Sequence, residues 1–148
     1  MSLSVDATGN DLTYRIIGAA MAVHNRLGPG YKEEVYEKAL ALELSRREIA
    51  AIRQYPLSVE DLGEQVGLFY LDLWVENLVV VEVKALSHAL TNDERAQVIN
   101  YLNAAKSPVG LLFNFGRRAL QYERIYPSRS AAPAQRIGRD DVYKAQRQ

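Results

Sequence analysis

The chain has 148 residues, equal numbers of acidic and basic side chains and no cysteine. That length suits one compact domain able to bury a sizeable core. Zero net charge gives no global pull toward nucleic acid, and the missing thiols exclude disulfides and thiolate metal sites, which fits a cytoplasmic protein.

The most apolar N-terminal piece, "IIGAAMAV", is too short to span a membrane, follows Arg15 and does not read as a signal peptide. Asp11 is a candidate N-cap for a first helix ending near 27, with Ile16, Ile17, Ala20, Val23 and Leu27 on its apolar stripe. "GPG" breaks that helix. A second follows at about 32–47, with Val35, Ala39 and Leu42 spaced for a core face and Glu34 and Lys38 placed as an i,i+4 pair. Glu33 shares a partly apolar stripe with Tyr36 and Leu40, where an amphipathic helix rarely carries an acid. At a helix N-terminus the same acid also suits the dipole.

Three strand-like runs come next, at about 51–59, 65–75 and 78–86, with turns at "DLG" and "EN". A third helix spans about 92–105, with Val98, Leu102 and Ala105 inward. "VGLLFNF" then reads as a buried strand and "LQYERIY" as an alternating edge strand. The order α-α-β-β-β-α-β-β predicts an α/β domain with a mixed central sheet flanked by helices. A three-stranded meander feeds a helix, which returns the chain to a strand parallel with the third. The domain is expected to occupy 1–126. Residues 127–148 read as a loose tail. From Arg117 onward eight Lys/Arg stand against three acids, so that end carries about +5 and the rest about −5. A solvated tail and a phosphate-touching arm both fit that composition.

The stretch "VVVEVKA" places Glu82 and Lys84 on one strand face with Val80, while Val81 and Val83 point into the opposite layer. The preceding strand is interrupted in the same manner by Asp72. A hairpin centred on Asn77 sets Asp72 opposite Glu82 and Tyr70 opposite Lys84. A half-residue shift makes the two acids near neighbours. Two carboxylates across a ladder repel, and partial burial strips their hydration. Either Lys84, in a structural acid–lysine network, or a divalent cation such as Mg²⁺ or Mn²⁺ must compensate. On the third helix Gln97 and Tyr101 are i,i+4 neighbours beside the apolar row.

Taken in order, Gly30, Glu33 and Tyr36 (G-x-x-E-x-x-Y), Asp72, Glu82 and Lys84 (D-x9-E-x-K), and Gln97 and Tyr101 (Q-x-x-x-Y) resemble the GxxExxY protein family, a small branch of the PD-(D/E)XK nuclease superfamily. The similarity covers about 14–125, and "GAAMAVHNRLGPG" and "QVINYLNAAKSPVGLLFNFG" share it. It implies a restriction-endonuclease-like core and a Mg²⁺- or Mn²⁺-dependent nuclease that hydrolyses phosphodiester bonds. Asp72 and Glu82 would hold the metal, with a main-chain carbonyl near Val83, and Glu33 would complete the acidic cluster. Lys84 would orient the attacking water and offset phosphate charge. Gln97 and Tyr101 would support the site or contact the nucleic-acid backbone. His24 matches a family position, and both a metal-ligand role and a structural one stay open. Leu71 stands where the superfamily motif has proline, and "DERAQ" leaves Glu94 without a role. The implied partner is nucleic acid, DNA ahead of RNA, with a homodimer open and no membrane. Two rival readings remain: a nuclease-fold binding or regulatory module that does not cut, and a structural network of unrelated function.

Overall fold

The computed structural model describes residues 10–128. Eight elements follow in chain order: α1 (Asn10–Leu27), α2 (Glu33–Arg46), β1 (Ala51–Asp61), β2 (Glu64–Val75), β3 (Val79–Lys84), α3 (Asn92–Ala105), β4 (Val109–Asn114) and β5 (Gln121–Ile125). This is the expected order. The expected tail lies outside the described residues except for its first two positions.

The five strands form one sheet in the order β1-β2-β3-β4-β5. All neighbours are antiparallel except β3 and β4, which the α3 crossover makes parallel. β3 and β4 are central and covered on both faces, which is why their sequences are almost wholly apolar. One face carries Leu73, Val75, Val79, Val81, Val83, Leu111 and Phe113 into a core with Leu12, Ile16, Val23, Tyr36, Leu40 and Leu44 of α1 and α2. The other face carries Trp74, Val80 and Leu112 against Val98 and Leu102 of α3. Val80 and Val81 thus part to opposite layers, as period-two alternation requires. No helix among the described residues is long and apolar enough to cross a membrane.

Local sequence explains most boundaries. α3 opens on a capping box: Thr91 Oγ1 accepts from Asp93 N–H, and the Glu94 carboxylate accepts from Thr91 N–H. Glu94 therefore has a capping role. Glu76 and Asn77 both take positive φ in the β2–β3 turn, the conformation tight hairpins require, and Leu78 N–H donates to Val75 O at 2.9 Å. Gly116 lies against the chain after β3, where an added Cβ would stand 2.6 Å from Leu86 N.

Three expectations need correction. α1 starts at Asn10, so Asp11 belongs to its first turn and is not the N-cap. α2 does not bury Val35 and Leu42, which are exposed. Its core face is Tyr36, Leu40 and Leu44, one step around the helix. Tyr36 decides this. Its hydroxyl donates to Gly28 O at 2.6 Å and accepts from Tyr31 N–H, and its ring stacks on Phe115 at 4.7 Å. The tyrosine of G-x-x-E-x-x-Y thus fastens the turn between α1 and α2, where Gly30 takes φ 115. β3 ends at Lys84 and does not run to 86, because Leu86 N–H turns to Asn114 Oδ1 at 2.8 Å.

Candidate active site on a broken ladder

Of the two registers the sequence allows, β2 and β3 take the one centred on Asn77: Val75 faces Val79, Trp74 faces Val80 and Leu73 faces Val81. The next pair would be Asp72 and Glu82, and there the main-chain ladder stops. Side chains replace it. The Asp72 carboxylate accepts from Val83 N–H at 2.8 Å, and the Glu82 carboxylate accepts from Asp72 N–H at 3.3 Å. Without these contacts the separating strands would leave main-chain donors unpaired. The expected pairing of Tyr70 with Lys84 does not form, since β2 has already left β3.

The departure has a counterpart on β1. The β1–β2 register pairs Arg53 with Leu73 and Tyr55 with Leu71 but skips the level of Gln54 and Asp72. Gln54 takes φ 54, a left-handed conformation in mid-strand. It is held by Glu37 of α2, whose carboxylate accepts from Gln54 Nε2 at 3.0 Å and from Arg53 Nε at 3.0 Å. Beyond the kink the faces of the hairpin are exchanged: Leu71 joins the α3 side although Leu73 lies on the other.

Two carboxyls therefore meet in a buried place. Glu82 is 4 % exposed. Burial first, and the charge of Asp72 second, push its pKa up to about 9. Burial also raises that of Asp72. The Val83 N–H bond opposes the rise, and the charges of Glu37 and Glu33 add to it. At neutral pH Glu82 holds a proton beside the Asp72 carboxyl.

Beside this pair runs a chain of polar groups. Lys84 Nζ donates to Gln97 Oε1 at 3.0 Å, and Gln97 Nε2 donates to the Tyr101 hydroxyl at 3.2 Å. Burial, followed by the charges of Glu82 and Asp72, raises the Tyr101 pKa. The i,i+4 spacing of Gln97 and Tyr101 makes their contact, and the shared face of Lys84 and α3 makes the other.

Of the sequence candidates, Asp72 and Glu82 are in contact, Lys84, Gln97 and Tyr101 form one connected group, and Glu33 is an exposed residue at the first turn of α2 that acts on Asp72 through its charge. Among the described residues no group of three His, Asp or Glu side chains is gathered closely enough to enclose an ion by itself. His24 is 6 % exposed, packs against Phe115, and its Nε2–H donates to Arg117 O at 2.9 Å, which ties the end of α1 to the loop after β4.

Two residues escaped the sequence reading. Glu37 is buried on α2 and fixes the kink opposite Asp72. Its signal was weak, an acid four residues after Glu33 on the same helix face. Asn114, fully buried at the end of β4, lies in register with Lys84. Its Oδ1 accepts from Leu86 N–H and Gly116 N–H, and its Nδ2 donates to His88 O. It holds the chain leaving Lys84. A polar residue inside "GLLFNFG" was its only mark.

The donor set suits a hard divalent cation. A cation held by Asp72 and Glu82 would displace the proton of the pair into solvent, and carboxylate oxygens are what Mg²⁺ and Mn²⁺ prefer. No curated protein and no solved structure matches the chain. The family model of the PD-(D/E)XK nuclease superfamily matches residues 10–125, and with the mixed sheet, its flanking helices and the D-x9-E-x-K residues on one hairpin, the chain belongs to that superfamily.

Proposed function

We propose that the protein is a Mg²⁺- or Mn²⁺-dependent nuclease of the GxxExxY branch, hydrolysing phosphodiester bonds of nucleic acid at the β2–β3 break. The observation that carries this reading is the contact of the Asp72 and Glu82 carboxyls in a buried site, where burial and their mutual charge outweigh the nearby Lys84 and raise the Glu82 pKa. A divalent cation bound there supplies charge neutralisation at phosphorus and makes water a competent nucleophile near neutral pH.

Asp72 and Glu82 are the ligands in this reading, a main-chain carbonyl near Val83 adds a third oxygen, and Glu33 completes the acidic field from α2. Lys84 spends one of its three N–H donors on Gln97, which leaves two for the attacking water and a phosphate oxygen. Gln97 fixes the ammonium position. Tyr101 fixes Gln97 and presents its ring beside the bound strand. DNA is the preferred polymer. The cytoplasm is the proposed location and a homodimer a compatible state.

A second reading has its own support. With Glu82 protonated, the two carboxyls share a proton and each accepts a main-chain N–H, so the site is satisfied as a metal-free structural pair. That fits a nuclease-fold binding module. Incubating labelled DNA and RNA, single- and double-stranded, with the protein and Mg²⁺ or Mn²⁺ separates the two. The nuclease reading expects cleavage that EDTA abolishes and Asp72→Asn removes. Metal binding without cleavage of any substrate gives the lead to the binding module.

A further inference from the structure

β1 and β2 run beyond the rest of the sheet. β3 accompanies β2 only as far as Leu73, so the outer part of the hairpin is a two-stranded ribbon. The exchange of faces at Gln54 turns this ribbon over α3. Leu57 and Leu71 join the α3 core, Tyr55 stacks on Trp74 at 5.6 Å, and Phe69 lies 5.9 Å from Tyr101 at a 47° tilt. Between ribbon and helix lies a groove of about 1020 Å³, whose lining includes Ser58, Phe69, Gln97, Asn100, Tyr101 and Asn103. Gln97 and Tyr101 also belong to the chain leading from Lys84, and the charges of Glu82 and Asp72 reach Tyr101, so the groove lies beside the site.

The lining is selective in its chemistry. Two aromatic rings offer stacking faces, and Phe69 is 44 % exposed. Three amides offer paired donors and acceptors. The charged groups are Lys106 against Glu60 and Asp93, a net negative rim that repels phosphate. A planar, uncharged group with hydrogen-bonding edges suits this place. A nucleobase is such a group, but only when its faces are not covered by pairing and stacking within a duplex. The groove also lacks the row of cations with which a protein tracks a duplex backbone.

We propose that the groove receives an unpaired nucleobase stacked on Phe69, and that the site serves single-stranded segments of nucleic acid; the position of that base next to a cleaved phosphate rests on the nuclease reading above. DNA and RNA share the feature this groove recognises, so the groove itself selects for strand state, and any preference for DNA arises elsewhere in the site.

The test is binding without turnover. Fluorescence anisotropy in EDTA would follow fluorescein-labelled oligothymidine, oligouridine and a fully paired hairpin duplex. The proposal expects one or both single strands to bind about ten-fold or more tightly than the duplex. Phe69→Ala should weaken single-strand binding about ten-fold or more, the usual effect of losing one stacked base. Phe69→Trp should restore it, and Leu68→Ala, on the other face of the ribbon, should not change it. Equal or tighter duplex binding, no response to Phe69→Ala, or no binding of any strand overturns the proposal and leaves the groove to another occupant such as a peptide. The same oligonucleotides with Mg²⁺ or Mn²⁺ keep the two readings apart. Phe69-dependent single-strand binding without cleavage sinks the nuclease and leaves the groove proposal standing. Metal-dependent cutting restricted to duplex does the reverse.

Discussion

Glu82→Gln should make the metal-free protein more stable, and the gain should grow with pH. In the folded chain Glu82 titrates near 9, against an ordinary 4.5. The folded state therefore binds this proton more tightly than the unfolded state does, and stability falls as pH rises between the two values. The contribution is fully present below about 4.5 and is lost as pH passes about 9. At about 1.4 kcal/mol per pKa unit the whole interval amounts to roughly 6 kcal/mol, with roughly half of it gone by neutral pH. Asp72, raised by burial, contributes with the same sign. Glu34, Glu43, Glu94 and Glu123 are lowered by their partners. They lose their contribution only as pH falls through the acid range, so they do not disturb this window.

Trp74 is the chain's one tryptophan, buried and stacked on Tyr55, and it reports global unfolding. Urea melts in EDTA from roughly pH 5 to pH 9 should show wild-type stability falling by up to about 1.4 kcal/mol per pH unit. Glu82→Gln should follow a clearly shallower line and lie above wild type at neutral pH. Saturating Mg²⁺ or Mn²⁺, at about one hundred times its Kd, should then stabilise wild type by about 2.7 kcal/mol and the variant by much less. A wild-type curve that is flat or rising across this window, or a variant that shares its slope, refutes the account of the pair.

Lys84→Ala should retain divalent metal in calorimetric titration and lose about 10²–10⁴ in cleavage rate, because the group that places the water is gone while the carboxyls remain. Asp72→Asn should lose both metal binding and cleavage in the same two assays. Asn114→Ala leaves the Leu86 and Gly116 N–H groups without an acceptor, and chemical denaturation should register a loss of about 2–4 kcal/mol. Gly116→Ala forces a Cβ onto the main chain at Ala85 and Leu86 and should lower the thermal midpoint by several degrees.

Much of this molecule was legible because its strands obey simple periodicity. The run Val79–Lys84 could only be central, and the parity of Glu82 and Lys84 followed from it. The turn residues Glu76 and Asn77 left two registers open, and the structure takes the one centred on Asn77. What the sequence hid were decisions taken at long range. α2 offers two rows at helical spacing, Val35-Ala39-Leu42 and Tyr36-Leu40-Leu44, and apolarity does not choose between them. The choice belongs to Tyr36, through its bond to Gly28 O and its stack on Phe115, seventy-nine residues away in the chain. Glu37 was hidden for the same reason: a buried acid is tolerable only with Arg53 and Gln54 beside it.

The break in the ladder and the kink on β1 are best understood as one device. If β2 remained paired to β3 past Leu73, main-chain bonds would occupy the space in which Asp72 and Glu82 now turn inward. Separation needs β2 to change direction, and β2 is tied along its length to β1, so β1 must bend at the same level. A non-glycine residue at positive φ costs on the order of 1 kcal/mol or more. The Glu37 carboxylate, accepting from both Arg53 and Gln54, holds that bend in place. Glu37 sits one turn after Glu33, so the helix that pins the kink also brings a second acid toward Asp72. The bend further swings the ribbon over α3, which creates the groove beside Lys84 and Gln97. One strained residue thus links the acidic pair, the helix behind it and the cleft in front of it. The strain at Gln54 belongs to the architecture of the site, and a β1 straightened at this position would close the ladder over the carboxyls.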